Sequence, residues 1–183
     1  MSQPNFAEMP IDELVPAACA QIPDFPHEGI LFYDVTTLFA NSVAFKRSID
    51  ELADRFEGTY DIVAGVEARG FLMAAALAYK TGKGVMTVRK AGKLPRETFQ
   101  AEYTLEYGTA AIEIHKGDIP AGQRVLILDD ILATGGTIEA AISLMEQAKL
   151  EVAGVGFLME LDGLGGRSKM GDHRVESLSL TTE

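Results

Sequence analysis

The stretch Val125-Leu126-Ile127-Leu128-Asp129-Asp130-Ile131-Leu132-Ala133-Thr134-Gly135-Gly136-Thr137 gathers polar groups at the end of an apolar run. A buried strand ends in two carboxylates, a Gly-Gly turn follows, and an amphipathic helix opens behind it. Gly135 and Gly136 let the backbone approach a ligand closely, while Thr134 and Thr137 add hydroxyl donors at a helix N-terminus, which suits a phosphate. The helix dipole contributes only ~0.3–1 kcal/mol. Charge-assisted hydrogen bonds, at roughly 1.5–3 kcal/mol each, must therefore supply most of the grip, from several amides between Ala133 and Thr137. Asp129 and Asp130 would repel that phosphate, so they must serve another part of the ligand. Carboxylates accept hydrogen bonds from vicinal hydroxyls and can order a hydrated divalent cation, and a ribose with a terminal phosphate, together with magnesium, meets both conditions. The plainer reading, an Asp-Asp pair that merely caps a strand, leaves the two threonines and two glycines in register without a purpose. Neither the GxxxxGK[ST] nor the GxGxxG pattern occurs, since Lys83 precedes Gly84 and Lys93 precedes Leu94.

Charge is distributed unevenly. Sixteen Lys and Arg against 27 Asp and Glu give a net charge of −11, which opposes nucleic acid and anionic membranes at long range. Yet from Arg69 to Arg96 seven basic side chains (Arg69, Lys80, Lys83, Arg89, Lys90, Lys93, Arg96) stand without one acidic residue. Such an island suits a small, highly charged anion, or else is the solvated face of a helix and loop. His27, His115 and His173 lack metal-ligand spacing and read as surface. The single cysteine, Cys19, cannot form an internal disulfide and fits a reducing, cytoplasmic setting. Met1 to Pro10 does not read as a secretory signal, and the longest apolar run, Phe71 to Tyr79, is about half a membrane span. A soluble protein is expected.

The elements that must position these groups follow from periodicity. Asp61 to Val66, Gly84 to Val88, Arg124 to Leu128 and Val152 to Met159 read as strands buried on both faces. Helices are expected over Ile11 to Gln21, Val43 to Phe56 with Ser42 as N-cap, Phe71 to Lys80, and Thr137 to Lys149. Ile22 to Gly29 reads as loop. Strands alternating with helices imply parallel pairing and right-handed crossovers, so the chain, residues 1–183, is expected to form one α/β domain: a doubly wound, mainly parallel sheet flanked by helices. Ala91 to Gln100 is polar and contains Gly and Pro, and Ile112-Glu113-Ile114 alternates, so a long mobile loop over 91–108 is expected to feed an antiparallel strand. Asp162 to Arg167 is Gly-rich and reads only as a loop.

The Asp-Asp-Ile-Leu-Ala-Thr-Gly-Gly-Thr segment resembles the PRPP-binding motif of the type I phosphoribosyltransferases, in the form of their adenine-specific branch (PRPP, 5-phosphoribosyl 1-pyrophosphate). Four further stretches agree in order and spacing: Phe25-Pro26-His27-Glu28-Gly29-Ile30-Leu31-Phe32-Tyr33-Asp34, Glu67-Ala68-Arg69-Gly70-Phe71, Arg89-Lys90-Ala91-Gly92-Lys93-Leu94-Pro95 and Tyr103-Thr104-Leu105-Glu106-Tyr107-Gly108. The resemblance implies transfer of a phosphoribosyl group from PRPP to adenine, giving AMP and pyrophosphate, with Mg2+ bound mainly through PRPP near Asp129 and Asp130. It implies an N-terminal hood over residues 1–40 and a homodimer. Arg69, Lys90 and Lys93 would hold pyrophosphate, joined by Arg89 from the neighbouring subunit, and Glu106 would be the catalytic acid/base beside Arg69. Phe32 and Ile131 would flank adenine, with the backbone of Leu31 and Tyr33 reading its edge; many relatives carry arginine where Tyr33 stands. Two other readings remain: a phosphoribosyltransferase for a 6-oxopurine or orotate, and a regulator that binds PRPP without chemistry. Ala133, where 6-oxopurine enzymes place an aspartate, and Leu105 to Gly108 favour adenine. The acidic composition disfavours a regulator with a nucleic-acid-binding function.

Overall fold

The structure, a computed structural model, describes residues 5–105 and 108–182. The chain enters through α1 (Ile11–Ala18), which buries Leu14, Val15 and Ala18. This helix stops before the expected Gln21 because the following residues are drawn into a ladder. Strand β1 (Ala20–Pro23) runs antiparallel to β2 (Leu31–Asp34), with Ala20 opposite Asp34 and Pro23 opposite Leu31. Pro23 cannot donate to a ladder and marks its end, so the first two residues of the expected loop, Ile22 and Pro23, belong to the strand. Helices α2 (Thr36–Ala40) and α3 (Ser42–Arg55) follow. The N-cap of α3 is Asn41 rather than Ser42: its side chain accepts from the amides of Val43 at 3.1 Å and Ala44 at 3.0 Å. A cap of this kind is worth about 0.5–2 kcal/mol over alanine.

Next come β3 (Ile62–Val66), α4 (Arg69–Thr81), β4 (Gly84–Lys90), β5 (Thr98–Leu105), β6 (Gly108–His115), β7 (Arg124–Leu132), α5 (Gly136–Gln147), β8 (Glu151–Leu161), a short 3-10 turn (Gly166–Met170) and β9 (Val175–Thr181). Seven of these strands form one sheet in the order β5-β6-β4-β3-β7-β8-β9. From β4 to β9 neighbouring strands are parallel, and β6 and β5 are antiparallel at one edge. The expected doubly wound, mainly parallel sheet is thus present. Adjacent residues of β3 serve opposite faces. Val63 belongs to the apolar cluster that holds Leu52 of α3, Phe56 just after it, and Met73 and Leu77 of α4, whereas Ala64 belongs to the cluster that holds Ile138, Ala141 and Met145 of α5. Burial on both faces is why these strands read as unbroken apolar runs rather than alternating ones.

Three further features differ from the sequence reading. The expected mobile loop over 91–108 holds strand β5 from Thr98 onward, paired along its length with β6 from Thr98 opposite His115 to Thr104 opposite Thr109. Strand β7 continues past Leu128 to Leu132, so Asp129 and Asp130 belong to the strand itself. The sheet also has an unforeseen edge, β9, which pairs with β8 from Val175 opposite Val155 to Thr181 opposite Leu161.

The topology fixes where a ligand can bind. From β3 the chain moves outward to β4, and after the β5–β6 hairpin it returns to β7 on the other side of β3. The crevice beyond the carboxyl ends of β3 and β7 is the switch point at which open α/β sheets hold their ligands.

Candidate active site

Both switch-point strands end in unusual local structure. After β3 the chain passes through Glu67 and Ala68, joined by a cis peptide bond, and α4 starts at Arg69. Gly70 allows that helix to start hard against β7: a Cβ there would lie 2.5 Å from the Leu128 carbonyl oxygen and 3.3 Å from Asp129 Oδ1. The close approach carries Arg69 to the acidic pair, with its Nε 2.8 Å from Asp130 Oδ2. This contact is an ion pair without the alignment of a hydrogen bond, and Asp130 Oδ2 accepts no hydrogen bond among the described residues. Asp130 is 4 % exposed, and its amide donates to Asp129 Oδ1 at 2.9 Å. Burial first, and the charge of Asp130 second, push the Asp129 carboxyl well above the usual carboxylate range. A buried acidic pair of this kind, held by a single arginine, is short of positive charge and of hydrogen-bond donors.

After β7 the turn Ala133-Thr134-Gly135 leads into α5. Gly135 occupies the N-cap position in the left-handed region at φ 77°, and among the described residues no side chain caps the helix. No side-chain cap thus competes with an anion for the first-turn amides of α5. Gly135, Gly136, Thr134 and Thr137 border a small hollow of about 90 Å3.

A cleft of about 710 Å3 joins these parts. Among the expected site residues, Leu31, Phe32, Tyr33, Arg69, Lys90, Asp129, Asp130, Ile131, Ala133, Thr134 and Thr137 line it. Phe32 is set by an edge-on contact with Phe25, centroids 5.1 Å apart. Tyr33 is 8 % exposed and belongs to the hydrophobic core, so at this position the chain offers the cleft little side chain. Arg89 and Lys93 are not among the residues lining the cleft. Arg89 Nε donates to Glu67 Oε2 at 3.2 Å, and Lys93 presents its amide to Glu113 Oε1 at 2.9 Å. Glu106 lies outside the described residues.

Several residues of the site were not singled out from the sequence. Glu67 lines the cleft and accepts from the Lys90 amide at 3.0 Å as well as from Arg89; the Lys90 amide is the chief cause of its lowered pKa. Tyr103, Leu161 and Leu164 also line the cleft. Glu67 and Tyr103 fall within the quoted motifs, so their positions were available although their roles were not. Leu161 and Leu164 depend on β8 lying beside β7, with Met159 opposite Ile131 and Glu160 opposite Leu132. Glu113 is 2 % exposed, and it accepts from the amides of Lys93 and Leu94, from Thr98 Oγ1 and from Gln100 Nε2. Burial raises its proton affinity, but those four donors outweigh burial and leave the pKa lowered. The signal for it was an acid standing between Ile112 and Ile114. His115, expected at the surface, is only partly exposed, and its Nδ1 is buried with no hydrogen-bond partner among the described residues.

Comparison with known proteins agrees with this arrangement. The phosphoribosyl transferase domain family matches residues 36–181. The chain belongs to that family, with the type I fold. An adenine phosphoribosyltransferase from an Arthrobacter species is 57 % identical over 170 residues, covering 93 % of this chain and 92 % of the relative. The adenine phosphoribosyltransferase of Renibacterium salmoninarum is 54 % identical over 175 residues, covering 94 % and 96 %. The crystal structure of the Thermoanaerobacter pseudethanolicus adenine phosphoribosyltransferase superposes with a TM-score of 0.88 at 48 % identity, covering 92 % of this chain and 99 % of that one. The Saccharomyces cerevisiae enzyme, solved with an imino-altritol bisphosphate and adenine, gives 0.86 at 45 % identity, covering 92 % and 98 %.

Proposed function

We propose that this protein transfers the 5-phosphoribosyl group of PRPP to adenine, releasing pyrophosphate and giving AMP. One observation carries the reading. The switch-point cleft, with the small hollow that shares Asp129, Ile131, Ala133, Thr134 and Thr137 with it, brings together a Gly-Gly helix N-terminus without a side-chain cap among the described residues, an acidic pair and the apolar residues Phe32 and Ile131 in a volume suited to a nucleotide. In the reaction the bond from C1′ to the pyrophosphate oxygen breaks as the bond from adenine N9 to C1′ forms, and the N9 proton departs. The protein's work is to hold both ends of the donor and to neutralise the leaving group.

The amides and hydroxyls from Ala133 through Thr137 hold the 5′-phosphate. Asp129 and Asp130 accept from the ribose hydroxyls, and Arg69 is released from Asp130 toward pyrophosphate, where Lys90, Lys93 and the partner subunit's Arg89 join it. Adenine lies between Phe32 and Ile131, and the backbone of Leu31 and Tyr33 reads its edge; this division of labour lets a tyrosine stand where relatives carry arginine. Glu106 takes the N9 proton.

The residues present fit magnesium. Asp129 and Asp130 are hard oxygen donors short of positive charge, and among the described residues no group of three His, Cys, Asp or Glu could form an all-protein cage. The cation would be held chiefly by PRPP beside these two carboxylates, and when bound it neutralises charge on the pyrophosphate. Cys19 is buried, with its thiol pushed up to about 12 mainly by that burial, so it is inert and consistent with a cytoplasmic enzyme. Among the described residues, no helix is long and apolar enough to cross a membrane.

Pyrophosphate release measured over adenine, hypoxanthine, guanine and orotate, with and without magnesium, tests the proposal. Adenine should be the fastest substrate, and only with the metal. Faster turnover of hypoxanthine, guanine or orotate would transfer the protein to another branch of the family.

A further inference from the structure

The 3-10 turn at Gly166–Met170 packs closely against the phosphate turn. A Cβ on Gly166 would lie 2.2 Å from the Ala133 carbonyl oxygen and 2.9 Å from Leu132 Cδ1, and one on Gly135 would lie 2.7 Å from the Gly166 carbonyl oxygen. The two backbones therefore meet with no space for a methyl group on either side, and any displacement of Gly166 must be transmitted to the turn. Gly166 is in turn held by its neighbour. Arg167 Nε donates to Glu160 at 2.9 Å, its Nη2 makes a second bond to the same carboxylate, and its Nη1 donates to the Val175 carbonyl at 3.2 Å. Glu160 is 7 % exposed and also accepts from Ser177 Oγ at 2.9 Å, on the oxygen that receives Arg167 Nη2. It also stands opposite Leu132 in the ladder, at the residue after which the phosphate turn begins. A bidentate arginine–carboxylate pair restricts direction as well as distance, which a single surface contact does not.

We infer that Arg167 is a positioning residue: by clasping Glu160 and the Val175 carbonyl it seats Gly166 against Ala133 and Gly135, and so sets the direction of the amides that receive the 5′-phosphate. The inference rests on the proposed role of that turn as the phosphate cradle. The clasp joins β8, β9 and the 3-10 turn to the cleft without touching substrate, which gives the Gly-rich segment after Asp162 a task.

The test compares Arg167→Met, which keeps the aliphatic stem of a half-exposed side chain, with Arg167→Lys, Gly166→Ala and Thr137→Val. Each variant is assayed with PRPP and adenine varied in turn, and amide hydrogen exchange is followed at Gly136 and Thr137. Loss of the clasp should raise KM for PRPP about tenfold while KM for adenine stays within about twofold, with faster exchange at both amides. Lysine should recover part of the loss, and Gly166→Ala should shift the same two readouts. Wild-type KM for PRPP and unchanged exchange in Arg167→Met, alongside a raised KM in Thr137→Val, would overturn the inference and leave the cradle standing. Equal rises in both KM values in Arg167→Met, with exchange faster throughout the chain, would also overturn it by reducing the clasp to general stability. Unchanged KM for PRPP in Thr137→Val would remove the cradle itself, and the inference with it.

Discussion

Asp129 keeps its proton to higher pH than an ordinary carboxyl because burial, and after it the charge of Asp130, oppose ionisation. The consequence for stability has a definite sign. Between the ordinary carboxylate range and the raised folded value, the unfolded chain binds fewer protons than the native one, so stability falls as pH rises through that window. An asparagine side chain in its place would escape this loss while its carbonyl could still accept the Asp130 amide. Asp129→Asn is therefore expected to melt at a higher temperature than the wild type at pH 7 without ligand, and the gap should close as pH drops below the ordinary range. Calorimetry from pH 3 to 8 reads this directly. The same variant should lose activity, because the carboxyl whose burial costs stability is proposed to serve the ribose and the metal-bearing donor, a common exchange of stability for function. The two carboxylates were legible in the sequence because strand, acid pair, turn and helix are contiguous, and local chemistry alone identifies them. The ion pair that joins Asp130 to Arg69 was not, since it depends on Gly70 bringing α4 against β7 across a long sequence separation.

At the scale of elements, the segment from Ala91 to Glu97 carries Lys93 and is held by a residue on a different strand. Glu113 on β6 accepts two of its amides, and on its other oxygen binds Thr98 and Gln100 of β5. Removing the carboxylate leaves four donors to find other partners, and each donor left buried and unsatisfied costs about 1–3 kcal/mol. Glu113→Ala should thus speed hydrogen exchange at the Lys93 and Leu94 amides, lower the melting temperature, and raise KM for PRPP more than KM for adenine. An unchanged exchange rate at those two amides would mean that the segment is held by something else. Legibility was uneven at this scale for a physical reason. The strands and helices of the core were readable because each is apolar on the faces its neighbours cover. Strands β1, β2, β5 and β9 were missed because each is short, or polar on one side, or at an edge of its sheet, where pairing with a distant segment decides the conformation. Leu161 and Leu164 escaped for the same reason: only the parallel register of β8 on β7 brings them to the cleft.

At the scale of the whole molecule, Arg89 poses a question of composition, since it stands outside the residues lining its own cleft and leans on Glu67, which does line it. If Arg89 completes the pyrophosphate site of a partner copy, each active site draws Glu106 from one chain and Arg89 from the other. The symmetry of a twofold dimer then makes a quantitative prediction. Arg89→Ala and Glu106→Gln should each be poorly active alone, the latter by ~10²–10⁴ in turnover if it carries the N9 proton. In a mixed dimer, one site combines both defects and the other has neither. Random reassociation of equal amounts should therefore restore about a quarter of wild-type activity, because half the dimers are mixed and half the sites in each are intact. A site built wholly within one chain predicts instead that mixing leaves activity at the average of the two variants. Carrying a different affinity tag on each variant and recovering both through one tag, alongside the assay, establishes that exchange of subunits has taken place, so that a flat result counts against the shared site and not against the mixing.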